Sequence, residues 1–274
     1  RLKFLTQSWQ RLHWRTWDEI PDHSIVGCCF SNELVDAFPV HLVTLQKGRL
    51  QEVYVTIDPE LNQDNLNSNL QNLKFQEVIG AVSTAKLTKY FEVNEIQIAT
   101  ERYQTGYRTE VNLAAFHWLN TVANRLKRGY LLTVDYGYPA HRYYSPTRSQ
   151  GTLQCYYQHA HHSDPYVAIG RQDITAHVDF TALEKQGARY GLHPVGFTQQ
   201  GLFLMALGLG DRLALLSHPD TDLSAQEVLQ RRESLHALFN PMGLGNFGVL
   251  VQQKGLTPEQ QAIALKGLTE PPMC

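Results

Sequence analysis

The chain has 274 residues, 43% hydrophobic and 18% charged, with a formal net charge of -2. A chain of that length and composition buries a large core, which excludes a disordered protein. Its mixed-sign surface has no basic field for sequence-independent nucleic-acid binding. No apolar run approaches the roughly 20 residues that cross a bilayer, and no signal-peptide pattern opens the chain, so the expectation is a soluble, cytoplasmic protein. Cys28, Cys29, Cys155 and Cys274 have the spacing of neither a disulfide framework nor a zinc site, which fits a reducing compartment.

Residues 1–10 read as a helix with Leu2, Leu5 and Trp9 on one face. It is already under way at an Arg, which predicts a chain cut from something longer. Two short strands follow at 12–14 and 25–30, separated by the turn Glu19-Ile20-Pro21-Asp22. The second is apolar throughout, as a strand covered on both faces would be, with Cys28 and Cys29 as core residues. It runs straight into Ser31-Asn32-Glu33-Leu34-Val35-Asp36-Ala37-Phe38-Pro39-Val40. Polar and acidic residues thus leave the end of a buried strand, where open α/β sheets bind ligands.

Residues 41–45 and 50–57 alternate as a hairpin about Gln46-Lys47-Gly48-Arg49. The Asn- and Gln-rich stretch 58–72 reads as a surface loop, and 73–90 as a helix. Residues 41–107 are taken as an insertion, leaving 1–40 and 108–274 as the core. A long helix over 110–126 ends at Lys127-Arg128-Gly129, with basic residues and a glycine at its stop. The strand 130–134 then ends in the acidic turn Asp135-Tyr136-Gly137, completing a βαβ-type unit. Residues 140–170, rich in Tyr, His and Pro, form a lid or loop. A helix over 180–190, entered through Thr175-Ala176-His177-Val178-Asp179 with Asp179 as N-cap, stops at Gly191. A strand at 193–197, helices at 203–216 and 225–239, and a last strand at 247–252 close the chain.

The strings SNELVDAFPV, GYLLTVDYG, GTLQCYYQH with Asp164-Pro165 behind it, and DITAHVDF, then Met242-Gly243 before Phe247-Gly248-Val249-Leu250, occur in that order. Together they resemble the MidA family of S-adenosylmethionine-dependent methyltransferases over essentially the whole chain. The resemblance implies an α/β fold, a Rossmann-like class I methyltransferase sheet with an inserted substrate or lid region. Its last strand turns back antiparallel. It also implies S-adenosylmethionine as cofactor. For the mitochondrial relatives it implies a protein arginine as substrate, linked to complex I assembly in the matrix. The family opens with a strand and a glycine-rich ExGxGxG turn, then a strand ending in an acid for the ribose, and this sequence shows neither. The expectation is therefore a methyltransferase whose N-terminal strands are missing from the chain, inactive if nothing precedes Arg1.

Asn32 and Glu33 are candidates to hold the cofactor amine or a cationic guanidinium, or else a helix N-cap and a first-turn acid. Asp36 is either a second catalytic acid beside Glu33 or part of that turn. Asp135 and Tyr136, at the neighbouring strand end, either line the substrate side or serve as plain turn residues. Thr175, His177 and Asp179 cluster at a helix entry, with His177 the candidate proton acceptor and a supporting structural role the commoner one. Trp17 and Asp18 border the adenine or belong to the core, and Arg108 and Glu110 face the insertion as a substrate wall or as a solvated helix start. His159, His161, His162 and Asp164 have the chemistry of metal ligands but not a metal-site spacing, and no metal is assigned. The rival readings are a non-catalytic assembly or interaction protein on a methyltransferase fold, and a metal-dependent hydrolase using the His-rich loop.

Overall fold

The computed structural model describes residues 12–57, 74–98, 100–158, 160–216 and 223–270. The helix expected over 1–10, the loop expected over 58–72, His159 and Cys274 lie outside the described residues.

The central sheet has four strands. β1 (Ile25–Asn32) runs parallel to β6 (Leu126–Asp135), β13 (Gly248–Lys254) pairs antiparallel with β6, and β12 (His193–Gln199) pairs antiparallel with β13. The last strand therefore enters the sheet reversed, as expected from the family pattern. Near the start of the parallel pair Gly27 faces Gly129 in register. At Gly129 φ is +138°, and a Cβ would lie 1.8 Å from the Gly27 carbonyl oxygen, so this close approach admits glycine alone.

Residues 41–111 carry a second, wholly antiparallel sheet. β2 (His41–Gln46) and β3 (Arg49–Ile57) form the expected hairpin, β4 (Phe75–Gly80) pairs with β3, and β5 (Arg108–Val111) pairs with β2. Two expectations change here. The segment 73–90 is a strand followed by α1 (Ala85–Val93), because Phe75, Val78 and Ile79 find a partner in β3 and the helix starts only at its N-cap Thr84. The helix expected from residue 110 begins later, as α2 (Leu113–Arg125) capped by Asn112, and residues 108–111 belong to this second sheet. Long-range pairing overrode local propensity in both segments.

α2 buries Ala115, Trp118, Leu119, Val122 and Ala123, spaced three and four apart, against β1 and β6. After β6 come β7 (Gly137–Tyr138) and the short α3 (Ala140–Tyr143), then β8 (Gln154–Tyr157), β9 (Ala160–His162) and β10 (Asp173–Thr175). The last three make a small sheet, whose β8 and β9 fall where a lid or loop was expected. β11 (Val178–Asp179) pairs with β7 and leads into α4 (Phe180–Arg189), whose N-cap is Asp179, as read from the sequence. α5 (Gln200–Ala206), α6 (Leu209–Leu215) and α7 (Ala225–Phe239) cover the far end, α7 opening with a Ser224–Glu227 capping box.

Residues 12–14 join no strand, and Trp14 is largely exposed. β1 is buried on one face only among the described residues. Ile25 and Cys29 pack into the core, whereas Val26, Cys28 and Phe30 are exposed. Cys155 is buried, and no helix of the described residues is long and apolar enough to cross a membrane.

Candidate active site

The chain leaves β1 at Asn32 through a left-handed turn. Glu33 has φ +46°, a conformation that non-glycine residues adopt rarely, and its N–H donates to the Val134 carbonyl at 3.0 Å. The turn drops Val35 into the core and aims two backbone N–H groups at β6. Val35 and Asp36 both donate to Asp135 Oδ2, at 3.0 and 3.3 Å, and Tyr136 N–H donates to Asp135 Oδ1 at 2.9 Å. Asp135 is fully enclosed. Burial and then the neighbouring Asp36 charge push its carboxyl up to about 7, against the three amides, which favour the charged form. Expected as a substrate contact, Asp135 instead fixes the turn that carries Glu33 and Asp36, because no face of it reaches the cleft.

Asp36 is 4% exposed. The Tyr136 hydroxyl donates to its Oδ2, its carbonyl accepts from Ala176 N–H at 3.0 Å, and its buried Oδ1 has no partner. Beside it opens a cleft of about 740 Å³, bounded by Glu33, Asp36, Tyr136, Tyr156, Ile174 and Phe247 among others. Glu33 is exposed to water, and Asn32 Nδ2 donates to its Oε1 at 3.3 Å. Thus Asn32, Glu33, Asp36 and Tyr136 meet at the carboxyl ends of two parallel strands, as their spacing after apolar runs indicated.

Four other candidates stand elsewhere. His177 does not line this cleft. Its ring lies against those of Tyr136 and Tyr138, at 5.3 and 5.2 Å, its N–H backbone donates to Thr152 Oγ1 at 3.1 Å, and its buried Nδ1 is unpaired. Burial and then Arg148 push the imidazole down to about 4, so it is neutral at physiological pH and buttresses Tyr136 rather than relaying protons. Trp17 and Asp18 form a short 3-10 turn whose Trp17 carbonyl accepts from Arg125 Nε at 3.1 Å. Arg125 ends α2 just before β6 starts, so the pair sits at the amino ends of the strands. Eight residues of β1 separate it from the cleft, a span of about 26 Å, which removes both as borders of this site. Arg108 is held by Glu77 at 2.7 Å, and Tyr166 donates to the same Glu77 oxygen.

Glu110 is likewise no solvated helix start. It is 2% exposed and its carboxylate accepts from Thr152 N, Thr152 Oγ1, Leu153 N and Tyr143 Oη. It fastens β5 to the turn that leads into β8. Gly151 in that turn has φ +76°, and a Cβ there would lie 2.1 Å from Glu110 Oε1. No local pattern signals this bond, because its donors lie 33 to 43 residues downstream. Tyr156 and Ile174 of the β8–β10 sheet were also missed as cleft residues, since nothing local distinguishes them. No three His, Cys, Asp or Glu gather at metal-binding distance among the described residues.

Residues 1–198 match the family model described as "Putative S-adenosyl-L-methionine-dependent methyltransferase". A Burkholderia thailandensis protein solved with bound S-adenosyl-homocysteine is similar in structure, with a TM-score of 0.74 and 31% identity, covering 90% of this chain and 57% of that one. The protein arginine methyltransferase NDUFAF7 homolog, mitochondrial, of Drosophila melanogaster is 27% identical, over 88% of this chain and 49% of its own length. The NDUFAF7 protein of Rattus norvegicus is 28% identical, over 92% and 52%. The chain spans about half the length of the curated relatives it matches. Family model, fold and motif order agree that the chain belongs to the MidA family of S-adenosylmethionine-dependent methyltransferases.

Proposed function

We propose that this chain carries the acceptor side of a protein arginine methyltransferase site, as the names of its curated relatives suggest. One observation carries the reading: the buried Asp36 keeps an unpartnered oxygen beside a cleft that also holds the exposed Glu33. A buried, half-satisfied carboxylate is costly unless a donor fills the vacancy. A guanidinium offers five N–H donors in a planar fork and suits two carboxylates at once.

The same residues fit the charged end of S-adenosylmethionine, since Asn32 and Glu33 leave β1 where a cationic ammonium or sulfonium is complemented by a carboxylate. When bound, the cofactor supplies an activated methyl group on positively charged sulfur. The protein's part is then alignment and exclusion of water. Asp36 would fix the guanidinium, with Tyr136 holding Asp36 in place and Asp135 holding the turn. Tyr156 and Phe247 would cover the reacting nitrogen. Glu33, open to water, would take the proton that the nitrogen sheds and pass it to solvent.

The division into a methyltransferase core and an insertion that meets the protein substrate is part of this proposal, with the insertion extended to Val111. So is a substrate protein linked to respiratory complex assembly. In the natural polypeptide, Glu33→Gln should lower kcat for methyl transfer to an arginine peptide roughly tenfold or more while cofactor affinity changes less. Normal turnover in that variant would remove Glu33 from the reaction.

A further inference from the structure

A second cleft, of about 380 Å³, opens between α1, α2 and α4 and shares no residue with the first. Its rim holds Lys86 and Lys89 from α1, His117 from α2 and Arg189 from the last turn of α4. Among the described residues, none of these four side chains makes an ion pair or a hydrogen bond, and no acid lines the cleft. Arg108, Arg125 and Lys185, by contrast, each have a carboxylate partner. The amides of Asn120 and Gln186 also lie in the wall. The floor is apolar, with Val93, Leu113 and Tyr190 beside the stacked rings of Tyr90 and Phe116, 5.3 Å apart.

We propose that this cleft binds a small phosphate monoester with a flat apolar body. Three full cations and an imidazole lining one cleft from three helices, with no acid among them, suit a compact dianion rather than a single carboxylate. A phosphate monoester carries about -1.5 to -2 near neutral pH and offers three acceptor oxygens. The volume falls in the range of small-molecule sites, about 300–1,000 Å³, and the apolar floor takes the organic part. An extended polyanion fits poorly, because the cations ring a cleft instead of forming a stripe.

The test is calorimetric titration of the chain with phenyl phosphate and, separately, with inorganic phosphate, at low and at high salt. Phenyl phosphate should bind one to one, more weakly at high salt and severalfold tighter than inorganic phosphate. Lys89→Glu and Arg189→Glu should each weaken it roughly tenfold. Lys127→Glu, exposed at the start of β6 and outside the cleft, should leave it unchanged. Circular dichroism checks that each variant keeps its fold. Absence of saturable binding, or an equal loss in Lys127→Glu, would overturn the site. Equal affinity for inorganic phosphate would overturn the role of the apolar floor.

Discussion

Two buried carboxylates, one in each sheet's neighbourhood, are satisfied to different degrees. Glu110, at the insertion, is 2% exposed and accepts from four groups with both oxygens. Asp36, at the central sheet, is 4% exposed, and one oxygen has the Tyr136 hydroxyl while the other has nothing. A carboxylate whose acceptor capacity is filled by its own chain is a structural joint. Asp36 instead keeps one buried oxygen without a partner beside the cleft, and in the function proposed above that difference separates the part of the molecule that is fastened from the part that binds.

The sharpest way to break this contrast is Glu110→Ala. It strands two backbone N–H groups and two hydroxyls, so unfolding free energy in urea should fall by about 3–5 kcal/mol. A loss below about 0.5 kcal/mol would show that the joint is not one. Asp36→Asn should behave oppositely. The amide still accepts from Tyr136, so stability should shift by no more than about 1 kcal/mol, whereas kcat/KM for methyl transfer should drop roughly 100-fold. If both variants damage stability equally, the distinction fails.

Asp135 tests the contrast through pH. Its folded carboxyl sits at about 7, above its usual 3.8, so the folded state holds the proton longer than the unfolded chain does. Below about pH 4 both states are protonated and the group contributes nothing. Between about 4 and 7 only the unfolded chain ionises, so rising pH favours unfolding, and the penalty is complete above about 7. Each pH unit in that window is worth at most about 1.4 kcal/mol. Urea midpoints should therefore show wild type losing stability relative to Asp135→Asn as pH rises from 5 to 8. A constant gap would mean that the three amides keep Asp135 ionised throughout. The smallest effect belongs to Tyr136→Phe, which removes one hydroxyl donor and should cost about 1 kcal/mol with a modest rise in KM for the acceptor. A change as large as that of Asp36→Asn would instead place the phenol itself at the reacting atoms.

Much of the central sheet was legible because its signals are local. An apolar run ending in Asn32-Glu33, another ending in Asp135-Tyr136, and the cap at Asp179 each specify an element and its end within a few residues. The insertion was less legible. Residues 75–80 and 110–111 read locally as helix because their partners lie about twenty and about seventy residues away in β3 and β2. Side-chain roles were the hardest to read. Nothing in the strings DYG or DITAHVDF says that Asp135 is sealed by three amides or that His177 is pinned between two tyrosine rings.

By itself the sequence determined the family, the α/β class and the stretch of chain that forms the cleft, since motif order and strand-end polarity are properties of short segments. Tertiary structure alone decided which acid faces the cleft and which only supports it. It also sent Trp17 and Asp18 to the opposite end of the sheet and turned Glu110 into a joint. Burial and hydrogen bonding depend on atoms brought together from distant segments, and no window of sequence contains them.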